Sequence, residues 1–87
     1  MQHKLFLEII NRDDPKLRLA YNQTDNCWGW YGYDGMGRYA FLEIRNKEVL
    51  SSVKHYFKHK LIRPTEDIYV VEAGCECTIY ELVGDSD

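Results

Sequence analysis

Three segments of the chain have the hydrophobic patterning of β-strands. Residues 3–10 read HKLFLEII and predict a first strand with alternate side chains on opposite faces. Residues 27–44 predict a hairpin, because Asp34-Gly35 is a strong signal for a two-residue turn. Residues 68–83 read IYVVEAGCECTIYELV. They predict either two strands joined at the Ala-Gly pair or one long strand with a bulge at that glycine.

One segment has a helical period instead. Residues 47–61 read KEVLSSVKHYFKHKL, Asn46 precedes them as a helix cap, and Pro64 ends the segment. Their apolar stripe is formed by Val49, Leu50, Val53, Tyr56, Phe57 and Leu61. Residues 16–22 fit either a strand or a short helix, and Asp14-Pro15 is a suitable start for a helix. The order predicts an α+β fold, a small antiparallel sheet with one main amphipathic helix on one face.

The predicted two-residue turn fixes which rings of the hairpin share a face. It pairs Trp30 with Tyr39 and Trp28 with Phe41, so that all four rings lie on one face of the ribbon. Two arrangements are compatible with this register. Either the rings form the core against the helix, which we favour because large rings usually dominate small cores, or they form an exposed binding surface.

Composition fits one soluble globular domain over residues 1–87. Of the 87 residues, 45% are hydrophobic and 29% are charged, which is ordinary for such domains. No stretch approaches the roughly 20 apolar residues that cross a bilayer, and the N-terminus lacks the apolar run of a secretory signal. Three cysteines without an export signal favour reduced thiols. We therefore expect a cytoplasmic protein that does not bind membranes.

Charge is segregated along the chain, although the net charge is only −3. Residues 45–63 hold six Lys or Arg and one acidic residue, whereas residues 64–87 hold seven acidic residues and no Lys or Arg. Such segregation is typical of a solvated surface, and it also suits an acidic surface that meets a basic partner. The candidate partner-binding residues are Glu66, Asp67, Glu72, Glu76 and Glu81.

No pattern in the sequence indicates catalysis or a bound cofactor. His55 and His59 have a spacing that can hold a metal ion, but the HExxH pattern is absent and nearby lysines repel cations, which favours a solvent-facing pair. Cys75 and Cys77 form C-E-C rather than C-x-x-C, which favours buried apolar thiols. The glycines form no phosphate-binding motif. We predict no enzymatic activity, no cofactor and no metal.

Two segments are similar to the sequence signature of the RNA recognition motif (RRM). In residues 37–44, GRYAFLEI, the YAFL core matches the RNP1 pattern, with Gly37-Arg38 transposed and Ile44 in place of a ring. Residues 5–10, LFLEII, resemble RNP2. The resemblance implies rings that stack nucleic-acid bases on an exposed sheet. The residues that would bind are Phe6, Trp30, Arg38, Tyr39 and Phe41.

The leading hypothesis is a small non-enzymatic domain that binds another protein, with rings as anchors and carboxylates as steering groups. Its specific form is an inhibitor, of the kind that phages and mobile elements encode. The acidic residues would then occupy the basic groove of a nucleic-acid-processing enzyme. The alternatives are an RRM-like single-stranded nucleic-acid-binding protein, and a structural domain that self-associates through an exposed strand edge.

Overall fold

The α+β prediction is confirmed by a computed structural model, which describes residues 3–11, 17–33, 35–71 and 74–84. The elements in chain order are α1 (Lys4–Ile10), β1 (Arg18–Asn22), β2 (Cys27–Tyr33), β3 (Tyr39–Glu43), α2 (Lys47–Lys58), β4 (Ile62–Val71) and β5 (Cys75–Leu82). The strands form one antiparallel sheet in the order β3-β2-β1-β5-β4.

Helix α2 begins where the sequence predicts it and ends at Lys58, before the predicted end at residue 61. The Asn46 side chain accepts a hydrogen bond from the Val49 backbone N–H at 3.1 Å, as expected of a cap. The helix ends at Lys58 because Lys60 takes a left-handed conformation, with φ of 58°. Phe57, which the predicted stripe included, stays 51% exposed.

The prediction of a strand over residues 3–10 is wrong, because these residues form helix α1. Phe6 is fully buried there, with its ring 5.0 Å from Tyr56 and 6.3 Å from Trp30 between centroids. Five of the seven positions of α1 are apolar, so the pattern fits a period of two as well as one of 3.6. Packing against α2 decides in favour of the helix.

The segments that the sequence left open are strands. Residues 18–22 form β1, the central strand of the sheet, whereas Asp14-Pro15 lies outside the described residues. Residues 68–71 belong to β4 and residues 75–82 to β5, with Gly74 at a φ of 75° just before β5. Strand β4 begins at Ile62 and therefore contains Pro64, which is tolerated because β4 is an edge of the sheet.

The sheet buries side chains on both of its faces. The helix-side core consists of Phe6, Leu19, Trp30, Ile44, Val49, Val53, Tyr56 and Ile62. The core on the other face consists of Ala20, Tyr31, Cys77 and Ile79, with Phe41 and Val71 partly buried against it. The outer strands β3 and β4 approach within 8 Å between Cα atoms. The sheet therefore curls around this second core.

The predicted register of the hairpin is wrong. Tyr33 pairs with Tyr39 and Trp30 pairs with Leu42, so the connection spans residues 34–38 rather than two residues. The register differs from the predicted one by an odd number of positions, which moves one strand's side chains to the opposite face. Trp28 therefore packs on the helix side, and Phe41 lies on the other face.

Candidate functional site

Four tyrosines lie together on the face of the sheet that is opposite the helices. We call Tyr31, Tyr33, Tyr39 and Tyr69 the tyrosine face. The ring of Tyr31 stacks on Tyr69 with a centroid distance of 4.7 Å and an interplanar angle of 7°. On its other side it stacks on Tyr39 at 5.3 Å and 14°. Tyr33 meets Tyr39 edge-on at 5.5 Å. Three nearly parallel rings thus extend from β3 to β4 across the sheet.

The stack depends on short side chains in the strands between its members. Strands β1 and β5 separate β2 from β4, and on this face they contribute Ala20 and Cys77, which are fully buried. These small residues leave room for Tyr31 and Tyr69 to reach over them from either side. Burial raises the pKa of Tyr31, and the neighbouring Tyr69 and Tyr39 raise it further, so the central phenol is uncharged at neutral pH.

The stack is buried at its centre and open at its edges. Tyr31 is 8% exposed, whereas Tyr33, Tyr39 and Tyr69 are 48%, 56% and 37% exposed. Large ring surfaces that stay open to solvent on a small domain are typical of contact sites for a partner. The central ring fixes the outer rings, so little side-chain freedom remains for a partner to remove.

A cavity of about 290 Å³ adjoins the tyrosine face, where β3 comes close to the end of β4. Asn22, at its base, accepts hydrogen bonds from the backbone N–H groups of Thr24 at 2.9 Å and Asp25 at 3.0 Å. The Asp25 carboxylate lies 3.3 Å from the Asn22 amide nitrogen and 3.8 Å from the Cys75 sulfur. One end of the ring surface is therefore polar, with one carboxylate and one guanidinium group. The cavity is lined by Asn22, Asp25, Arg38, Tyr39, Ala40, Phe41, Val71 and Cys75.

The cysteines lie near this cavity as free thiols. Burial raises the pKa of Cys27, and the carboxylates of Glu43 and Asp25 raise it further. Burial likewise raises the pKa of Cys77. Protonated thiols are poor nucleophiles, so these side chains act as small apolar groups. Cys77 is buried as expected, whereas Cys75 is only half-buried.

The acidic residues proposed from the sequence do not form one continuous surface. Asp67 pairs with Arg18 at 3.3 Å, and Glu81 pairs with Arg63 at 2.8 Å. Both arginines line the same shallow hollow as these carboxylates, so the local charge is largely balanced.

The remaining members of that acidic set do not all lie in this hollow. Glu66 lies in the same hollow, and Glu76 lies near the opposite end of β5 from Glu81. Glu72 lies outside the described residues. The alternation of residues along the strands does not indicate which carboxylates are paired, because Arg18 and Arg63 are distant in sequence from Asp67 and Glu81.

The RRM-like set is divided by the sheet itself. Phe6 and Trp30 are 0% and 7% exposed in the helix-side core, so their assignment as base-stacking residues is wrong. Tyr39 and Phe41 lie on the helix-free face, as the resemblance implies, and Arg38 lines the cavity beside them.

Sequence reasoning missed Tyr31, Tyr33 and Tyr69 as members of a site. The first two belong to the hairpin, but the wrong register placed Tyr31 opposite Arg38 and Tyr33 opposite Met36. Tyr69 is separated from them by a helix and a strand, and only the curl of the sheet brings it near. The available signal was a ring at alternate positions of both strands, Tyr31 and Tyr33 in β2 and Tyr39 and Phe41 in β3.

The chain's histidines gather where α1 meets α2. His3 stacks on His55 with centroids 4.6 Å apart, and His55 lies 4.4 Å from His59. The His3 Nδ1 atom lies 2.9 Å from the Ser52 hydroxyl oxygen. The prediction of a solvent-facing pair is therefore wrong for His55, which is half-buried. Within the described residues, no group of His, Cys, Asp or Glu side chains is arranged to hold a metal.

Because of this histidine cluster, we expect acid to destabilise the fold. Burial lowers the pKa of His55, and His59, His3 and Lys58 lower it further. The folded-state pKa therefore lies below the unfolded value of about 6.5. The contribution of neutral His55 to the free energy of unfolding is fully present above that value and is lost as the pH falls through the folded-state pKa. We expect the thermal midpoint to fall between pH 7.5 and 5.5, and His55→Gln to flatten this profile. An equally steep profile in the variant would contradict the assignment.

Within the described residues, no helix has the length and apolar character that crossing a bilayer requires. Strands β3 and β4 are the edges of the sheet. Self-association through one of these edges stays a prediction. Comparison with known proteins gave no matching family model, no matching curated protein and no matching solved structure.

Proposed function

We propose that this protein is a small non-catalytic domain that binds another protein, and that the tyrosine face is its contact surface. The observation that carries this proposal is the row of stacked, partly exposed rings on a sheet face that neither helix covers. Tyrosine supplies a large contact area at a low cost in side-chain entropy and is enriched among residues that dominate binding energy.

Two carboxylates beside the rings would meet a basic partner, with Arg38 lining the same cavity as one of them and Arg45 lying 3.9 Å from the other. Asp25 lies in the adjoining cavity, and Glu43 follows Phe41 at the next position on the same face of β3. More specifically, we propose that the protein is an inhibitor that occupies the basic groove of a nucleic-acid-processing enzyme. The acidic residues Glu66 and Glu76 would add to the long-range attraction, which raises the association rate more than the affinity.

The test is to compare what immobilised variants capture from the native host after nuclease treatment. The double variant Tyr39→Ala/Tyr69→Ala removes the exposed ends of the stack and leaves buried Tyr31 in place. We expect it to stay folded, with a thermal midpoint lowered by the loss of two ring-stacking contacts. It should lose a captured protein that the wild type retains, with about 30-fold weaker binding to that protein once purified. Leu42→Ala is the matched control, because Leu42 is exposed on β3 but faces the other way.

Equal capture by the double variant and the wild type would contradict the proposal. The second candidate is single-stranded nucleic-acid binding through Arg38, Tyr39 and Phe41. Their placement side by side on the helix-free face favours it. That candidate requires captured material that nuclease removes, together with loss of binding to a labelled single-stranded RNA in the double variant.

A further inference from the structure

A second concave surface lies on the helix side of the sheet, away from the tyrosine face. It is a groove of about 550 Å³ between the end of α2, the start of β4 and the residue after β5. We call it the α2 groove. Its floor is apolar, and two of its residues, Phe57 and Val83, are each 51% exposed. The lining residues are Phe57, Lys58, Lys60, Ile62, Arg63, Pro64 and Val83.

Cations surround this apolar floor. Arg63 is paired with Glu81. By contrast, Lys58 and Lys60 form no ion pair with any carboxylate in the part of the chain that the structure describes. Lys54 precedes Lys58 by one turn of the same helix and is also exposed. The rim of the groove therefore keeps a positive potential that the described residues do not neutralise.

Lys60 is held in a conformation that its side chain disfavours. Its φ is 58°, in the left-handed region where glycine is the ordinary residue after a helix. The turn itself is regular, because the Leu61 N–H donates to the Tyr56 carbonyl at 2.8 Å. A glycine would make this turn with less strain, so the turn does not explain a lysine. A lysine at this position places a charge at the rim of the groove.

The groove continues into a hollow lined by rings. Phe57 also lines a neighbouring cavity of about 260 Å³ together with Tyr21, Trp28 and Tyr80. Trp28 is at its centre, with ring centroids 4.8 Å from Tyr80 and 5.6 Å from Phe57. The hollow and the groove share the exposed Phe57 ring, so together they offer two adjacent apolar sites beside one row of cations.

We propose that the α2 groove binds an acidic amphipathic peptide segment of a partner protein. One apolar side chain of the peptide fills the groove over Ile62 and Val83, and a second packs against the rings. Carboxylates on either side of them meet Lys58 and Lys60. The part of the groove over Ile62 and Val83 is aliphatic and suits an apolar side chain better than a base. Phe57 is a ring on which a base would stack, so a nucleic acid is the alternative occupant that the oligothymidylate arm of the test identifies.

The test is an amide chemical-shift titration of the intact protein with a short synthetic peptide that places one Phe and one Leu between runs of glutamate. We expect saturable shifts for the groove residues and little change on the tyrosine face. The same peptide with lysine in place of glutamate should cause no saturable shifts, and oligothymidylate should also cause no saturable shifts. Shifts caused by oligothymidylate instead, shifts confined to the tyrosine face, or no saturable shifts would overturn the proposal.

Two variants separate binding from folding. Lys58→Glu/Lys60→Glu should weaken binding of the peptide about tenfold or more, whereas Lys47→Glu, at the other end of α2, should leave it unchanged. Lys60→Gly should weaken binding and yet keep or raise the thermal midpoint, because the left-handed turn suits glycine. Asn26→Gly, at the other non-glycine residue described with a left-handed φ, is the control for that backbone effect. Binding that survives both lysine variants would refute the site.

This site is independent of the proposed function of the tyrosine face. Tyr39→Ala/Tyr69→Ala should bind the acidic peptide with the wild-type affinity, and Lys58→Glu/Lys60→Glu should still capture the partner of the tyrosine face. If one prediction fails and the other holds, the failure therefore identifies which surface was assigned incorrectly.

Discussion

Gly29→Ala is expected to destabilise the fold by about 3 kcal/mol, close to the upper range for overpacking a core. A Cβ atom at Gly29 would lie 2.3 Å from the Phe41 ring and 2.4 Å from the carbonyl oxygen of Leu42. The ring could rotate away, but the carbonyl belongs to the backbone of the paired strand β3. The hairpin would have to separate at this point, which a small domain with a stability of roughly 5–10 kcal/mol tolerates poorly.

Urea denaturation of the two proteins measures this effect, and Gly84→Ala is the matched control. The atom nearest to a Cβ at Gly84 is a Leu61 methyl at 3.6 Å, an ordinary contact, so we expect a change within about 0.5 kcal/mol. Equal midpoints for the two variants would show that Phe41 does not lie over Gly29. The register of β2 and β3, and with it the placement of the tyrosine face, would then be wrong.

The parts of the fold that sequence predicted are those with local causes. Asn46 caps α2 through its own side chain, and the stripe that includes Val49 and Val53 is buried as a helical period requires. The existence of the β2–β3 hairpin also follows from turn residues close in sequence, and residues 68–83 were predicted to form strands, although the sequence left open whether there were one or two. The α+β class depends only on these elements, which explains why it was predicted correctly.

The candidate site could not be predicted in the same way, because its parts meet through register and curl. The Asp34-Gly35 pair indicates a two-residue turn, but Gly35 and Gly37 both take positive φ values, 84° and 94°, within a longer connection. The sequence alone does not choose between these turns, and the choice determines the face of Tyr39. Tyr69 reaches the site only because the sheet curls, a property of all five strands together.

Phe6→Ala should destabilise the fold by about 3–5 kcal/mol, the usual cost of removing a fully buried phenylalanine. Phe6 is 0% exposed and lies between Tyr56 and Trp30. Phe57→Ala is the matched control, since it removes the same side chain from a site that is 51% exposed, and it should cost less than about 1 kcal/mol. Thermal and urea unfolding of both variants measure the difference.

The comparison also decides between two roles for Phe6. Removal of a base-stacking ring would leave the free energy of unfolding unchanged, whereas removal of a core ring would lower it, because a core ring holds α1 in place. Helix α1 has only seven residues, and a helix of that length is not stable without tertiary packing. Loss of Phe6 should therefore release α1 and expose Trp30, which would shift its fluorescence to longer wavelengths. An unchanged spectrum and midpoint would show that α1 does not depend on this contact.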